Sequence, residues 1–358
     1  MAYQRVLAAA FLCYAALGAV LRVLPGHLAD LGAAPFTIGL AVGAPALTGL
    51  VARPTGGRLA DRIGPRSVLP AGAAIMAVGV APALIEDTGA QIASRLIVGI
   101  GEGAMMAAAV LWLLRLSGPA RRGRALGHIG LANYGGLAVG PLLADLAHGF
   151  ESVLLIAAVL PLLAAAVMPS HVPRAEAQQR DGGGLLAATL RPGIGLMCVN
   201  VGYAATLAFG GERSPLVVPA FAVTVIVART LGASIPDRLG TRETLLLAAP
   251  TAAAGLTLLA VGPPVIGVVL LGAGQALAVP ALGLLALAGV EPARHGAAAG
   301  LFFSWFDAGV GLGGPAAGVL AQVGGPTGAL IGAAVAVAWT APIALLSTGR
   351  SRGGAVVN

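Results

Sequence analysis

The chain has 358 residues, 58% of them hydrophobic and only 10% charged, with 54 glycines and a mean hydropathy of +0.91. Soluble domains carry about 25% charged residues, so a water-soluble fold would lack the polar surface to cover its exterior. The net charge of +7 comes from 21 basic residues, all arginines, scattered near the ends of apolar runs; this excludes a clustered nucleic-acid-binding face.

Only helices and closed barrels satisfy their backbone groups inside a bilayer. Barrel strands alternate apolar and polar residues, whereas here the apolar runs are continuous and about 18–25 residues long, the length of a spanning helix. An all-α membrane protein is expected. Its first run, MAYQRVLAAAFLCYAALGAVLRVL, has no small-residue cleavage site and reads as a retained span, not a removed signal peptide. Further runs follow at 36–55, 68–86, 91–114, 125–148 and 151–168. After a polar gap come 193–209, 214–234, 243–260, 264–289, 297–321 and 327–346. With the first at 4–24, the expectation is 12 transmembrane helices. The polar stretch PSHVPRAEAQQRDGGGLLAATLRP predicts a linker over 169–192, between bundles at 1–168 and 193–358. Cys13 and Cys198 lie inside apolar runs and define no disulfide framework or metal site.

Orientation follows from arginine. With the N-terminus inside, sixteen arginines fall on the inner side, and only Arg22 and Arg213 on the outer. Arg53, Arg95 and Arg229 fall within or at the ends of spans. Both termini are therefore expected in the cytoplasm and the protein in the plasma (inner) membrane.

The two bundles repeat. ARPTGGRLADRIGPR (52–66) matches ARTLGASIPDRLGTR (228–242) at seven of fifteen positions. GIGEG (99–103) matches GAGQA (272–276), SGPARRGRALG (117–127) matches VEPARHGAAAG (290–300), and NYGGLAVGPLLA (133–144) matches DAGVGLGGPAAG (307–318). Four landmarks recur in one order with nearly constant offset. Two parallel six-helix halves of this kind enclose a midplane site and rock around it.

Gly57, Asp61, Arg62, Gly64 and Arg66, after the second span, resemble the signature loop of the major facilitator superfamily, with a weaker copy at Asp237, Arg238, Gly240 and Arg242. Arg95 with Gly99 and Gly103 resembles that family's fourth-helix motif, and Gly136, Gly140 and Pro141 its antiporter-associated GxxxGP motif. The resemblance implies the major facilitator fold and transport by alternating access. The Gly-Asp-Arg loops would act as conformational latches, since such ion pairs can form in one rocked state and break in the other. Gly136, Gly140, Pro141, Gly314 and Pro315 suit close packing and bending.

Two carboxylates lie at membrane depth. Glu102 is eleven residues into the fourth span and Asp307 about ten into the eleventh, so at 1.5 Å per residue both are about 16 Å deep. Charges there are costly and functional by default, which makes both candidate proton-coupling groups. Glu102 matches Gln275 and Asp307 matches Asn133 across the repeat, so these four should face the central cavity. Arg95, seven residues from Glu102 on one helix face, is expected as its counter-charge or as a holder of an anionic substrate. Tyr14, Tyr134, Asn200, Tyr203 and Trp305 complete the candidate cavity; Trp112 reads as an interfacial anchor and Asp145 as solvated. No metal-ligand cluster, nucleophile–base pair or phosphate loop is visible, so no enzyme activity, metal or cofactor is expected. The function expected is proton-coupled efflux of small organic molecules, drugs or metabolites, by a monomer. Symport or uniport of a small organic anion is the alternative.

Overall fold

The computed structural model describes residues 2–117, 122–168, 184–232, 235–288, 290–291 and 295–346. Among them no strand occurs, and the helices are α1 (Ala2–Asp30), α2 (Pro35–Ile63), α3 (Pro65–Gly79), α4 (Thr88–Ser117), α5 (Arg122–Leu146), α6 (Phe150–Ala166), α7 (Leu185–Phe209), α8 (Val217–Gly232), α9 (Ile235–Leu239), α10 (Thr241–Val261), α11 (Pro264–Leu287), α12 (His295–Ala338) and α13 (Thr340–Leu346). Nine described segments are long and apolar enough to span a bilayer, and α6 and α8 are shorter apolar helices. Within α12, Gly325 takes φ 62° and ψ −166° and breaks the helix. The linker is expected over 169–192. Residues 169–183 lie outside the described set, and 185–192 are helix, because LLAATL is apolar and begins α7.

Short turns make consecutive spans antiparallel, which defines a near face at the start of α1 and a far face at its end. Glycines fix the distances between helices. A Cβ on Gly136 would meet the Tyr14 Cβ at 2.9 Å, and one on Gly140 the Ala19 amide at 2.5 Å, so α5 lies directly against α1. The same contact recurs between α12 and α7: a Cβ on Gly309 would lie 2.8 Å from the Asn200 Cβ, and one on Gly313 2.8 Å from the Val201 Cα. Gly64 and Gly240, in the two copies of the loop after the second helix, both take φ 93°, a conformation open to glycine at no steric cost. The repeat is thus present in packing as well as in sequence. These contacts pair Gly136 with Gly309 and Gly140 with Gly313, one residue off the sequence alignment of that stretch. In that register Asp307 corresponds to Tyr134, not to Asn133. Gly140→Ala is expected to cost about 1–3 kcal/mol by overpacking. Gly127→Ala, with nothing within 4 Å of its Cβ position, should be neutral or stabilise by about 0.5–1 kcal/mol. Thermal unfolding in detergent measures both.

Three apolar clusters fill the bundle, the smallest around Leu196, Leu245, Leu282 and Phe302. The first draws on α1, α3, α4 and α6, with Leu24, Leu69, Met105 and Trp112 among its buried members. The second is built mainly from α7, α8, α10, α11 and α12. Trp112 is wholly buried in the first and is therefore not an interfacial anchor: its large apolar ring fills the space between α4 and its neighbours.

Candidate functional site

Four helices converge on one ionic cluster. Glu102 (α4) is 4% exposed and Asp307 (α12) 1%. Between them lies Arg53 of α2. Its Nη2 donates to Glu102 Oε1 at 3.0 Å and Oε2 at 3.3 Å, and its Nε stands 2.8 Å from Asp307 Oδ2 as an ion pair. That second contact is not aligned as a hydrogen bond. Tyr14 (α1) donates its hydroxyl to Glu102 Oε1. Gly49, one turn before Arg53, leaves room for Asp307, whose Oδ2 would be 3.7 Å from a Cβ there. Two carboxylates share one guanidinium, so with all three ionised the cluster carries one excess negative charge.

Arg53 was not singled out from the sequence, because counting arginines by side set it at the end of a span. In the structure α2 continues to Ile63, which puts Arg53 ten residues, about 15 Å, inside the near end of its helix. The signal that points to it is the repeat itself, which opens with Ala-Arg in both copies, Arg53 and Arg229. The counter-charge expected for Glu102 is corrected accordingly. Arg95 is buried and lines a cavity of about 10 Å³ with Ala16, Met76, Gln91, Ser94 and Leu154 among others. Two helical turns separate Arg95 from Glu102, a span its side chain does not bridge.

The other expected cavity groups divide. Gln275 (α11) donates to Asn200 Oδ1 (α7) at 3.4 Å, which repeats the Glu102–Tyr14 contact in neutral form. Tyr134 (α5) lies under Arg229 (α8), with the guanidinium 4.6 Å from the ring centroid. Tyr203 (α7) stacks on Phe221 (α8) at 5.3 Å between centroids. Asn133 donates to Met106 Sδ at 3.6 Å, and Trp305 lies over Gly193, where no Cβ would fit.

The expected latch and packing residues are distributed as follows. Asp61 pairs with Arg115 of α4 at 3.4 Å. Arg62, Arg66 and Arg238 are exposed, Gly57 is buried, and the side chain of Asp237 lies outside the described residues. Asp145 pairs with Arg22 at 3.1 Å, so it is half-exposed but not free. Across α2 and α12, Gly39 and Gly314 leave no room for a Cβ on either. A Cβ on Gly43 would meet the Gly311 carbonyl at 2.9 Å, and one on Gly318 the Phe36 Cα at 2.6 Å. All of these approaches lie on the far side of Arg53. On the near side, Gly300 has nothing within 4 Å of its Cβ position.

Polytopic apolar helices around a buried ionic cluster define an integral membrane protein of the transporter class. The chain belongs to the Major Facilitator Superfamily, whose family profile matches residues 6–211. It is 32% identical to an uncharacterized MFS-type transporter of Burkholderia mallei (strain SAVP1), over 92% of this chain and 87% of that one. A second uncharacterized MFS-type transporter, from Salmonella typhimurium, is 29% identical over 96% of this chain and 95% of its own. The fold is similar to that of the nucleoside transporter NupG, with a TM-score of 0.76 at 17% identity, covering 96% of this chain and 98% of that one. It is also similar to a bacterial homolog of the human lysosomal transporter Spinster, with a TM-score of 0.79 at 13% identity, covering 97% and 96%.

Proposed function

We propose that the chain is a proton-coupled secondary transporter that exports small organic molecules, drugs or metabolites, by alternating access. With α12 taken as the helices on either side of Gly325, and α6 and α8 included, it reads as twelve spans in two bundles, α1–α6 and α7–α13. The arginine bias makes the near face cytoplasmic, in the plasma membrane. One observation carries the reading: Arg53 joins a carboxylate of its own bundle, Glu102, to one of the other, Asp307.

The chemistry follows from charge. A cluster with one excess negative charge in surroundings of low dielectric is neutralised by a single proton. Protonating either carboxylate removes one of the two attractions that Arg53 exerts, and such attractions are strong away from water. If Asp307 takes the proton, the clasp between α2 and α12 loosens and the far seal can part. If Glu102 takes it, Tyr14 and Arg53 are released to the Asp307 side. In either case protonation biases a rocking equilibrium, which is what coupling requires. The glycine seam between α2 and α12 corresponds to a conformation closed on the far side. The Asp61–Arg115 pair at the near face would form and break in the same cycle.

Export rests on the resemblance of Gly136, Gly140 and Pro141 to the antiporter motif. Co-transport of a proton with a small organic anion is the second reading, and Arg229, without a carboxylate partner among the described residues, favours it. In proteoliposomes with an imposed pH gradient, assayed with a panel of drugs and metabolites, Glu102→Gln and Asp307→Asn are each expected to lose gradient-driven transport while exchange of cargo across the membrane survives. Full gradient-driven transport in both variants would end the proton-coupled reading.

A further inference from the structure

The two arginines that open the repeat occupy equivalent places with unequal company. Arg53 stands ten residues before Ile63, and Arg229 ten residues before Leu239, the last residue of α9. Arg53 meets two carboxylates, Glu102 and Asp307. The positions corresponding to those carboxylates around Arg229 are Gln275 and, in the register set by the glycine contacts, Tyr134. Each of the two replacements keeps a polar group and removes the negative charge. Arg229 instead lies 4.6 Å over the Tyr134 ring, with its Nε buried and without a hydrogen-bond partner among the described residues. The ring face attracts the cation, but it offers the guanidinium's planar fork of N–H donors no acceptor oxygen.

We propose that Arg229, seated on Tyr134, is the docking point for the anionic group of a small organic monoanion, most simply a carboxylate; this rests on the proton-coupled reading and names the substrate class of that cycle. A guanidinium presents two parallel N–H groups that match a carboxylate in bidentate geometry. One unneutralised positive charge fits one negative charge on the ligand, so dianions and cations are disfavoured. The walls nearby suit an apolar body. A crevice of about 10 Å³ adjoins Tyr134 and is lined by Leu137, Tyr203, Leu207, Val218 and Phe221. At that volume it has room for about one water, so it must widen before cargo is bound. The arrangement separates the two ligands of the cycle by charge, with a proton for the acidic cluster around Arg53 and an anion for the basic one around Arg229.

The test is equilibrium binding to the full-length purified chain in lipid nanodiscs, by calorimetry, with a panel of aromatic and aliphatic monocarboxylates, each beside its neutral amide. On the wild-type chain at least one carboxylate is expected to bind about tenfold or more tightly than its amide. Arg229→Gln should erase that preference, and Arg229→Lys, which keeps the charge, should retain part of it. If no carboxylate on the wild-type chain outperforms its amide, or if Arg229→Gln binds it as wild type does, the assignment is overturned. Carboxylate binding by a wild-type chain that shows no gradient-driven transport would refute the proton-coupled reading while leaving the anion site standing, so the two failures are distinguishable.

Discussion

Arg53→Gln is expected to destabilise the protein by about 3–5 kcal/mol, the cost of removing one partner from a buried ionic group and stranding the rest. Here two carboxylates, Glu102 and Asp307, would lose their only ion-pair partner among the described residues. The loss should appear as a lower unfolding temperature in detergent and reduced yield from the membrane. The charge argument makes a second demand. Adding Glu102→Gln and Asp307→Asn to Arg53→Gln removes the stranded charges and should recover most of the stability, because replacing a whole buried ionic group is often neutral. A triple variant as unstable as Arg53→Gln would show that Arg53 acts by packing alone.

Gly39→Val is expected to have the largest effect on conformation. The Gly39 and Gly314 backbones are in direct contact, and Gly43 and Gly318 extend the seam. A valine at 39 would overpack the far seal, at a cost of about 1–3 kcal/mol. The penalty falls only on the state in which α2 and α12 touch there, so it shifts the equilibrium toward the far-open state by roughly 5–150-fold. Spin labels on exposed Asp30 and Val323, with Cys13 and Cys198 replaced by serine, would report the shift as a longer distance. An unchanged distance would mean that the seam does not govern opening.

The helices and their order were legible because a bilayer imposes a simple constraint: each span must be apolar over its whole length. The central carboxylates were legible for the same reason, as charges where charge is costly. What escaped was pairing. Helical spacing sets Arg95 and Glu102 on one face of α4, but at heights two turns apart, where Glu102 meets α1 and α2 and Arg95 lies among α1, α3 and α6. Arg53 is hidden in the sequence because arginine ordinarily marks the inner surface, and α2 extends further than its apolar core suggests. The Asn133 pairing failed by one residue. In a helix such a slip rotates a side chain by about 100°, and only the glycine contacts of α5 on α1 and of α12 on α7 reveal it. Trp112 shows a converse limit, since in an apolar chain composition does not distinguish a side chain facing lipid from one facing the core.

The central claim is that a proton on the Arg53 cluster releases the clasp between α2 and α12. The distance between labels on Asp30 and Val323, followed as pH is lowered, tests it without knowledge of the cargo. In the wild-type chain acidification should protonate the cluster and populate a longer distance, and in Asp307→Asn, which has lost that ion pair, the longer distance should be present at every pH. A distance in the wild-type chain that does not respond to pH, or a response that survives intact in Asp307→Asn and Glu102→Gln combined, would contradict the account.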